Sequence, residues 1–326
     1  MKLILRCALA AAVSLAAVAC SSPAAPVTAP APSASATPQS AGSYPVTVSS
    51  CGRDFSYAKA PTRVVLGYPG TLDTLTALGV QNSVRGYVLG SQGALPAGAP
   101  EGIVEVSPDY TPSRESMLGA QPDLFLGNDE GQVTGEGKVS YDDLTGIGSG
   151  VYIMGGYCAK TPAGRTLATI EADVTNLGHI FGVDERAREL NQEIETRVAR
   201  AKASLAGKQL RIAYVQSFNG KLYALSGYPA ATIIETLGQV NEFGDLKQSW
   251  AEISREDALR RKPDVLIVSV SDGKPEAAVA EITKTLAGTK AVEAGHVLTV
   301  NGSDFEAGGI SVIRQLEDVA GQLAKL

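Results

Sequence analysis

One eleven-residue pattern occurs twice in the chain, and its spacing limits what the chain can fold into. Residues 113–123 and 254–264 both fit Ser-Arg-Glu-x-x-Leu-x-x-x-Pro-Asp, and each copy runs directly into a short apolar stretch. The copies start 141 residues apart (254 − 113), which is too long for a solenoid repeat and close to the size of one domain. We therefore expect two lobes built on the same plan.

The local chemistry of each copy predicts a short helix followed by a buried strand. The opening serine is a good N-cap, and the proline cannot continue the helical hydrogen-bond ladder. Glu115 and Glu256 then fall in the first turn, where the helix dipole favours a carboxylate. The two glutamates either only stabilise their helix starts or also meet cationic groups of a partner.

The N-terminus has the pattern of an export signal. Lys2 and Arg6 precede an apolar run at 8–19 that is too short to span a membrane, and small residues lead to Cys20. This segment resembles a bacterial lipobox, with cleavage before Cys20 and lipid on its thiol; an ordinary secretory signal is the alternative. We expect a signal peptide at 1–19 and a flexible stalk rich in Ala, Pro and Ser at 20–44.

Charge and cysteine usage restrict the partners and the compartment. A net charge of −6 argues against nucleic acid, and no later apolar run reaches the length of a membrane span. Cys7 lies in the signal and Cys20 is the anchor, so Cys51 and Cys158 remain. In an exported protein these two are predicted to form a disulfide bond, the alternative being two buried free thiols.

Apolar runs and helical patterns alternate along the rest of the chain, which predicts an α/β fold with mostly parallel sheets. We assign an N-terminal lobe to 45–160, a helical connection to 161–207 and a C-terminal lobe to 208–326. Predicted strands lie at 63–66, 84–88, 124–126, 151–154, 210–215, 222–225, 265–268 and 297–300, and helices at 71–78, 232–237 and 276–286. The connection keeps a 3.6-residue apolar period with a predicted bend or break near Gly182–Asp184. A stiff helical connection predicts little hinge motion.

The order of several short motifs resembles the substrate-binding lipoproteins of ABC importers for siderophores, haem and cobalamin. They are Cys51-Gly with Pro61-x-Arg63-Val-Val, Leu75-x-Ala-Leu-Gly79, Asp173-Val-x-Asn-Leu-Gly-x-Ile-Phe-Gly-Val183, Trp250-x-x-Ile-Ser-Arg-Glu256 and the repeat itself. The resemblance covers nearly all of 46–326. It implies two Rossmann-like lobes joined by one long spine helix, with ligand in the cleft between them. It also implies that Glu115 and Glu256 dock on arginines of a dimeric permease. Asp73 departs from the family pattern, in which glutamate is common at that position.

Ligand contacts are expected on loops that leave the carboxyl ends of strands. These loops combine aromatic and neutral hydrogen-bonding residues, which suits a medium-sized organic ligand. The candidates are Tyr68, Asn128, Tyr157, Phe218, Tyr228 and Trp250. Loop 127–143 is mainly acidic, so a neutral or cationic chelate such as a ferric hydroxamate fits better than an anionic catecholate.

Other functional classes are less well supported by the residues present. With only His179 and His296, a zinc or manganese site and a Ser-His-Asp site are not expected, and no motif points to a resident cofactor. The sequence predicts a non-enzymatic protein anchored by lipid on the outer face of the cell membrane. The resemblance implies a monomer with a ferric siderophore and an ABC permease dimer as partners. Haem, a corrinoid or another cofactor is the alternative ligand, and a tethered scavenger or sensor without a permease is the alternative role.

Overall fold

The computed structural model describes residues 43–88, 95–158, 166–227, 229–270, 274–302 and 308–326. Strands within these ranges are β1 (Val46–Ser50), β2 (Arg53–Tyr57), β3 (Val64–Leu66), β4 (Val84–Val88), β5 (Val104–Ser107), β6 (Leu124–Gly127), β7 (Gly150–Ile153), β8 (Arg211–Phe218), β9 (Lys221–Leu225), β10 (Val240–Asn241), β11 (Trp250–Glu252), β12 (Val265–Val270) and β13 (Val297–Asn301). Helices are α1 (Leu72–Ala77), α2 (Arg114–Ala120), α3 (Tyr141–Gly146), α4 (Leu167–Phe181), α5 (Asp184–Ala203), α6 (Ala230–Thr236), α7 (Arg255–Arg261), α8 (Pro275–Thr285), α9 (Lys290–Glu293) and α10 (Ile310–Leu323).

The first sheet is entirely parallel in the described part of the chain, with strand order β5-β4-β3-β6-β7. Its central strands β3 and β6 are buried along their whole length, as expected for a parallel sheet covered on both faces. The chain order reverses between β3 and β6, which makes this the switch point at which open α/β sheets usually bind ligands.

The second sheet has a parallel centre and an antiparallel margin. Its order is β11-β9-β8-β12-β13, with β10 pairing the start of β8. Strands β8, β12 and β13 are parallel, whereas β9 is antiparallel to both β8 and β11. The two lobes and mostly parallel sheets that the sequence predicted are confirmed.

A hairpin missed in the sequence precedes the first sheet. β1 and β2 pair in antiparallel register around the two-residue turn Cys51–Gly52. Both turn residues have positive φ, 49° and 74°, as a tight two-residue hairpin turn requires. A disulfide bond joins Cys51 to Cys158, just beyond β7, so the hairpin is tied covalently to the edge of the first sheet.

The helical connection consists of two helices that fold back on each other. α4 ends at Gly182, which adopts the left-handed conformation, so the predicted break is confirmed. The Asn191 amide of α5 donates to the Glu171 carbonyl of α4 at 3.1 Å, which fixes an antiparallel arrangement. Gly178 permits this approach, because an added Cβ would lie 2.4 Å from the Ala187 Cβ.

The connector between the lobes is α5, a single helix. Its Arg197 binds Glu317 of α10, with Nη2 and Oε2 2.6 Å apart, while its N-terminal half packs on α4. One continuous buried cluster joins the first sheet, α4, α5, α10 and one face of the second sheet. A second cluster lies on the opposite face of the second sheet.

Candidate functional site

The two lobes meet at the start of α1 and the start of α10. Asp73 of α1 accepts hydrogen bonds from the Ser311 hydroxyl at 3.1 Å and forms an ion pair with Arg314 at 2.8 Å. The backbone N–H of Ile310 donates to the Thr74 hydroxyl at 3.2 Å. Because α1 follows β3 directly, these contacts lie at the carboxyl ends of the first sheet's strands.

Gly309 makes the closest approach across this contact. Its φ is +57°, and an added Cβ would lie 2.3 Å from Thr74 Oγ1 and 2.8 Å from Met154 Cε. Met154 directly follows β7, and Gly309 follows the segment that leaves β13. The carboxyl ends of both sheets therefore face the same side, and the ligand cleft of the fold lies between them.

The switch point of the first sheet is filled by protein. Gln132 is fully buried, and its amide nitrogen donates to the carbonyls of Gly67 at 2.7 Å and Tyr110 at 2.9 Å. Its carbonyl accepts from the Asn128 backbone N–H at 3.1 Å. This role of Gln132 could not be predicted from the sequence, because a single glutamine is not part of any recognisable motif.

Two of the ligand candidates have little accessible surface. Tyr68 is 1 % exposed, so its ring is packed against protein in this structure. The Asn128 side chain is also buried and accepts from the Tyr110 hydroxyl at 3.1 Å. Their contact with ligand stays a prediction.

The segment Met154–Cys158, here called the β7 loop, remains a candidate. Tyr157 and Cys158 are half-buried, and the Tyr157 carbonyl accepts from the Glu130 backbone N–H at 2.9 Å. The acidic residue Glu130 therefore sits beside the loop and the disulfide. This placement brings at least part of the acidic 127–143 region to the carboxyl edge of the sheet.

Three aromatic rings cluster at the margin of the second sheet: Phe218, Tyr223 and Trp250, here called the aromatic trio. Tyr223 and Trp250 stack with ring centres 4.0 Å apart, and Phe218 meets Trp250 edge-on at 5.7 Å. Phe218 is 49 % and Trp250 45 % exposed. Both lie at strand ends, not on loops as the sequence suggested. The sequence reasoning missed Tyr223, and Tyr228 lies outside the described residues.

The repeated pattern forms the same structure in both lobes. Ser113 caps α2 by accepting from Ser116 N at 3.1 Å, and Ser254 caps α7 by accepting from Asp257 N at 3.0 Å. Glu115 and Glu256 are exposed in the first turns of these helices. Neither carboxylate has a hydrogen bond or ion pair within the described ranges.

The other charged residues that both copies of the repeat share, one arginine and one aspartate, are bound within each lobe. Asp123 accepts from the Arg63 backbone N–H at 2.7 Å where β3 begins, and Asp264 accepts from the Arg211 backbone N–H at 2.9 Å where β8 begins. The neighbouring arginines of the repeat are also occupied: Arg114 binds Asp143 at 2.6 Å, and Arg255 donates to the Thr285 and Ala287 carbonyls, each at 2.9 Å. Of the charged residues that both copies share, only the glutamates have no partner in the described part of the chain.

The chain belongs to the periplasmic binding protein family, whose sequence model matches residues 64–302. It is similar to a solved structure from an ABC-type Fe3+-hydroxamate transport system of Saccharomonospora viridis, with a TM-score of 0.73 and 24 % identity, covering 86 % of this chain and 99 % of the other. It is also similar to a periplasmic heme-binding protein of Vibrio cholerae, with a TM-score of 0.66 and 17 % identity, covering 80 % of this chain and 98 % of the other. At these identities the likeness establishes the fold.

A curated relative is the vitamin B12-binding protein of Yersinia pestis. It is 24 % identical over 156 residues, which are 48 % of this chain and 51 % of the relative, so the match spans about half the length of each. The family acts outside the cytoplasm. None of the helices in the described ranges combines the length and apolarity needed to cross a bilayer. Cys20 and the signal lie outside these ranges.

Proposed function

We propose that this protein is the solute-binding component of an ABC importer, which captures a metal chelate in the cleft and delivers it to a permease dimer. The observation that carries the proposal is the pair of equivalent helix starts. Each lobe presents one exposed glutamate at the start of a helix with the same pattern and the same serine cap, and the arginine and aspartate that both copies share are bound internally. Such an arrangement suits docking on two cationic groups.

A ferric hydroxamate siderophore is the ligand class we favour. The aromatic trio supplies apolar faces, and Lys221 beside it already pairs with Glu252 at 2.7 Å. Asp129 and Glu130 lie at the end of β6. A strongly anionic chelate would need several available cations at the cleft, whereas a neutral or cationic one would not. Haem or a corrinoid is the second candidate, because the parallel rings of Tyr223 and Trp250 present a flat face.

The anchoring part of the proposal concerns Cys20. We propose that its thiol carries lipid after removal of 1–19, and that the stalk at 20–44 tethers the folded part to the outer face of the membrane. Mass spectrometry of the membrane-extracted protein tests this. A mature chain that begins elsewhere or lacks a lipid adduct would contradict it.

Native mass spectrometry of the purified protein against ferric hydroxamates, ferric catecholates, haem and corrinoids tests the ligand class. We expect a 1:1 complex with at least one ferric hydroxamate and weaker binding of catecholates. If only haem or a corrinoid binds, the proposed ligand class changes from a siderophore to this second candidate. The transport proposal would be contradicted if the protein bound none of these ligands and a deletion strain took them all up normally.

Replacing Trp250 by Ala should weaken ligand binding while leaving the protein folded. The expected loss is about 1–3 kcal/mol, from removed stacking and apolar contact area. Isothermal titration with the ligand found above measures it. Trp250 is the only tryptophan, so its fluorescence should also be quenched in the wild type when a ferric or haem ligand binds.

Two matched variants make this result specific. Trp250→Phe keeps a ring against Tyr223 and should recover most of the affinity. Val104→Ala removes an exposed apolar side chain from the edge of the first sheet and should bind as the wild type does. Saturating binding with unchanged Trp250 emission would place the ligand away from the aromatic trio.

A further inference from the structure

Asp173 is a buried carboxylate that links α4 to the β7 loop. Its Oδ1 accepts from the Tyr152 hydroxyl at 2.8 Å, and its Oδ2 accepts from the Gly155 backbone N–H at 2.7 Å. Tyr152 belongs to β7, whereas Gly155 lies in the β7 loop with φ +67°. The same loop ends at Cys158, and its Met154 touches the Gly309 region of the other lobe. One carboxylate therefore helps to fix a loop at the lobe contact.

Within the described residues, no cation compensates this carboxylate. Its two hydrogen-bond donors are neutral, and no Lys, Arg or His of the described chain pairs with it. The groups that bond to it are uncharged, and so are the other side chains that influence Tyr152. Asn176 of α4 donates to the Tyr152 hydroxyl at 3.0 Å, and Tyr57 of β2, whose buried hydroxyl has no partner among the described residues, also influences Tyr152. The carboxylate nearest to it in sequence is Glu171 of α4, whose pKa is raised by burial and by Glu195 of α5.

We propose that Asp173 is a positioning residue for ligand binding, which holds the β7 loop closed when protonated and releases it when ionised. The effect of Asp173 on ligand binding rests on the proposed function of the cleft, because Tyr157 is the residue of the β7 loop that we predict to contact the ligand. The loop movement itself does not depend on that function.

The direction follows from proton linkage. Burial raises the pKa of Asp173 to about 7, and the bonds from Gly155 and Tyr152 offset only part of this effect. A loop opening that admits water returns the pKa toward its ordinary value, so the closed loop binds the proton more tightly than the open one. Closure is therefore favoured at low pH and is lost as pH rises through about 7.

Hydrogen exchange of the free, full-length protein tests this without any ligand. The peptide covering 150–158 should lose protection by about threefold or more between pH 6 and pH 8.5, after correction for intrinsic exchange rates. Asp173→Asn mimics the protonated acid in shape and charge. Its peptide should keep the acid-state protection at every pH. Glu171→Gln removes another half-buried carboxyl of α4 that makes no bond to the loop, and it should keep the wild-type profile.

Tyr152→Phe provides a second test if the asparagine variant folds poorly. Loss of the Tyr152 donor raises the pKa of Asp173 further, so the midpoint of the protection change should move to higher pH. A pH dependence that persists in Asp173→Asn, has the opposite sign, or keeps its midpoint in Tyr152→Phe would overturn the loop assignment. Once a ligand has been identified, its Kd should rise over the same pH range in which the loop peptide loses protection. If the peptide loses protection as expected but the Kd does not change with pH, Asp173 has no role in ligand binding, and the proposed transport function is unaffected.

Discussion

Replacing both Glu115 and Glu256 by Ala should abolish ligand uptake by cells while leaving the Kd of the purified protein within about twofold, because in our proposal both carboxylates contact the permease and not the ligand. Each single replacement should reduce uptake less. Both side chains are exposed and neither has a partner within the described ranges, so their removal should break no bond inside either lobe. Uptake of radiolabelled chelate by a deletion strain carrying each variant measures the effect.

Glu276→Ala is the matched control for this experiment. Glu276 is also an exposed first-turn glutamate, at the start of α8, but it lies outside the repeat. All three glutamates should contribute similarly to their helices, by about 0.3–1 kcal/mol each. The control should therefore show a similar small loss of thermal stability with normal uptake. Normal transport by the double variant would leave helix stabilisation as the only role of Glu115 and Glu256.

Reduction of the Cys51–Cys158 bond should lower the melting temperature markedly. The bond spans a sequence separation of 107 residues. The chain-entropy model gives about 4–5 kcal/mol for such a loop as an upper figure, and this corresponds to a decrease of about 10 °C for a protein of this size. Both cysteines are half-exposed, so dithiothreitol can reach them. Differential scanning calorimetry with and without reductant measures the change.

Thiol counting separates this effect from nonspecific effects of the reductant. The unreduced, denatured protein should show no free thiol from Cys51 or Cys158. The paired variant Cys51→Ala, Cys158→Ala should melt where the reduced wild type melts and should not respond to dithiothreitol. Two titratable thiols in unreduced protein would instead favour the alternative of two buried free cysteines.

The repeat and the parallel strands were readable from sequence because their causes are local. A capping serine, a first-turn glutamate and a terminating proline act within one helix, and their effects do not depend on distant packing. The C-terminal helix Ile310–Leu323 was overlooked although its apolar period is clear. The β1–β2 hairpin also left a signal, two alternating strands around Cys51-Gly52, which the sequence reasoning did not use.

Other features depend on contacts that no local pattern encodes. The apolar period continues across Gly182, so it cannot show that α4 and α5 run antiparallel; the contact of Gly178 with Ala187 decides this. Tyr68 follows a predicted strand in the same way as a cleft residue would, yet the structure buries it. The aspartates of the repeat, Asp123 and Asp264, anchor the first strand of each sheet from about 60 and 53 residues away in sequence. The ligand contacts stay predictions.

The anchoring of α2 and α7 by Asp123 and Asp264 has a mechanical consequence. Each helix is fastened to the central strands of its own sheet, so it moves with its lobe as one piece. The distance between the Glu115 and Glu256 carboxylates is therefore set by the angle between the lobes. Because the single-helix connector α5 predicts little change in that angle, the two carboxylates would keep one spacing, and a partner with two cationic groups at a matching spacing would find both in place at once.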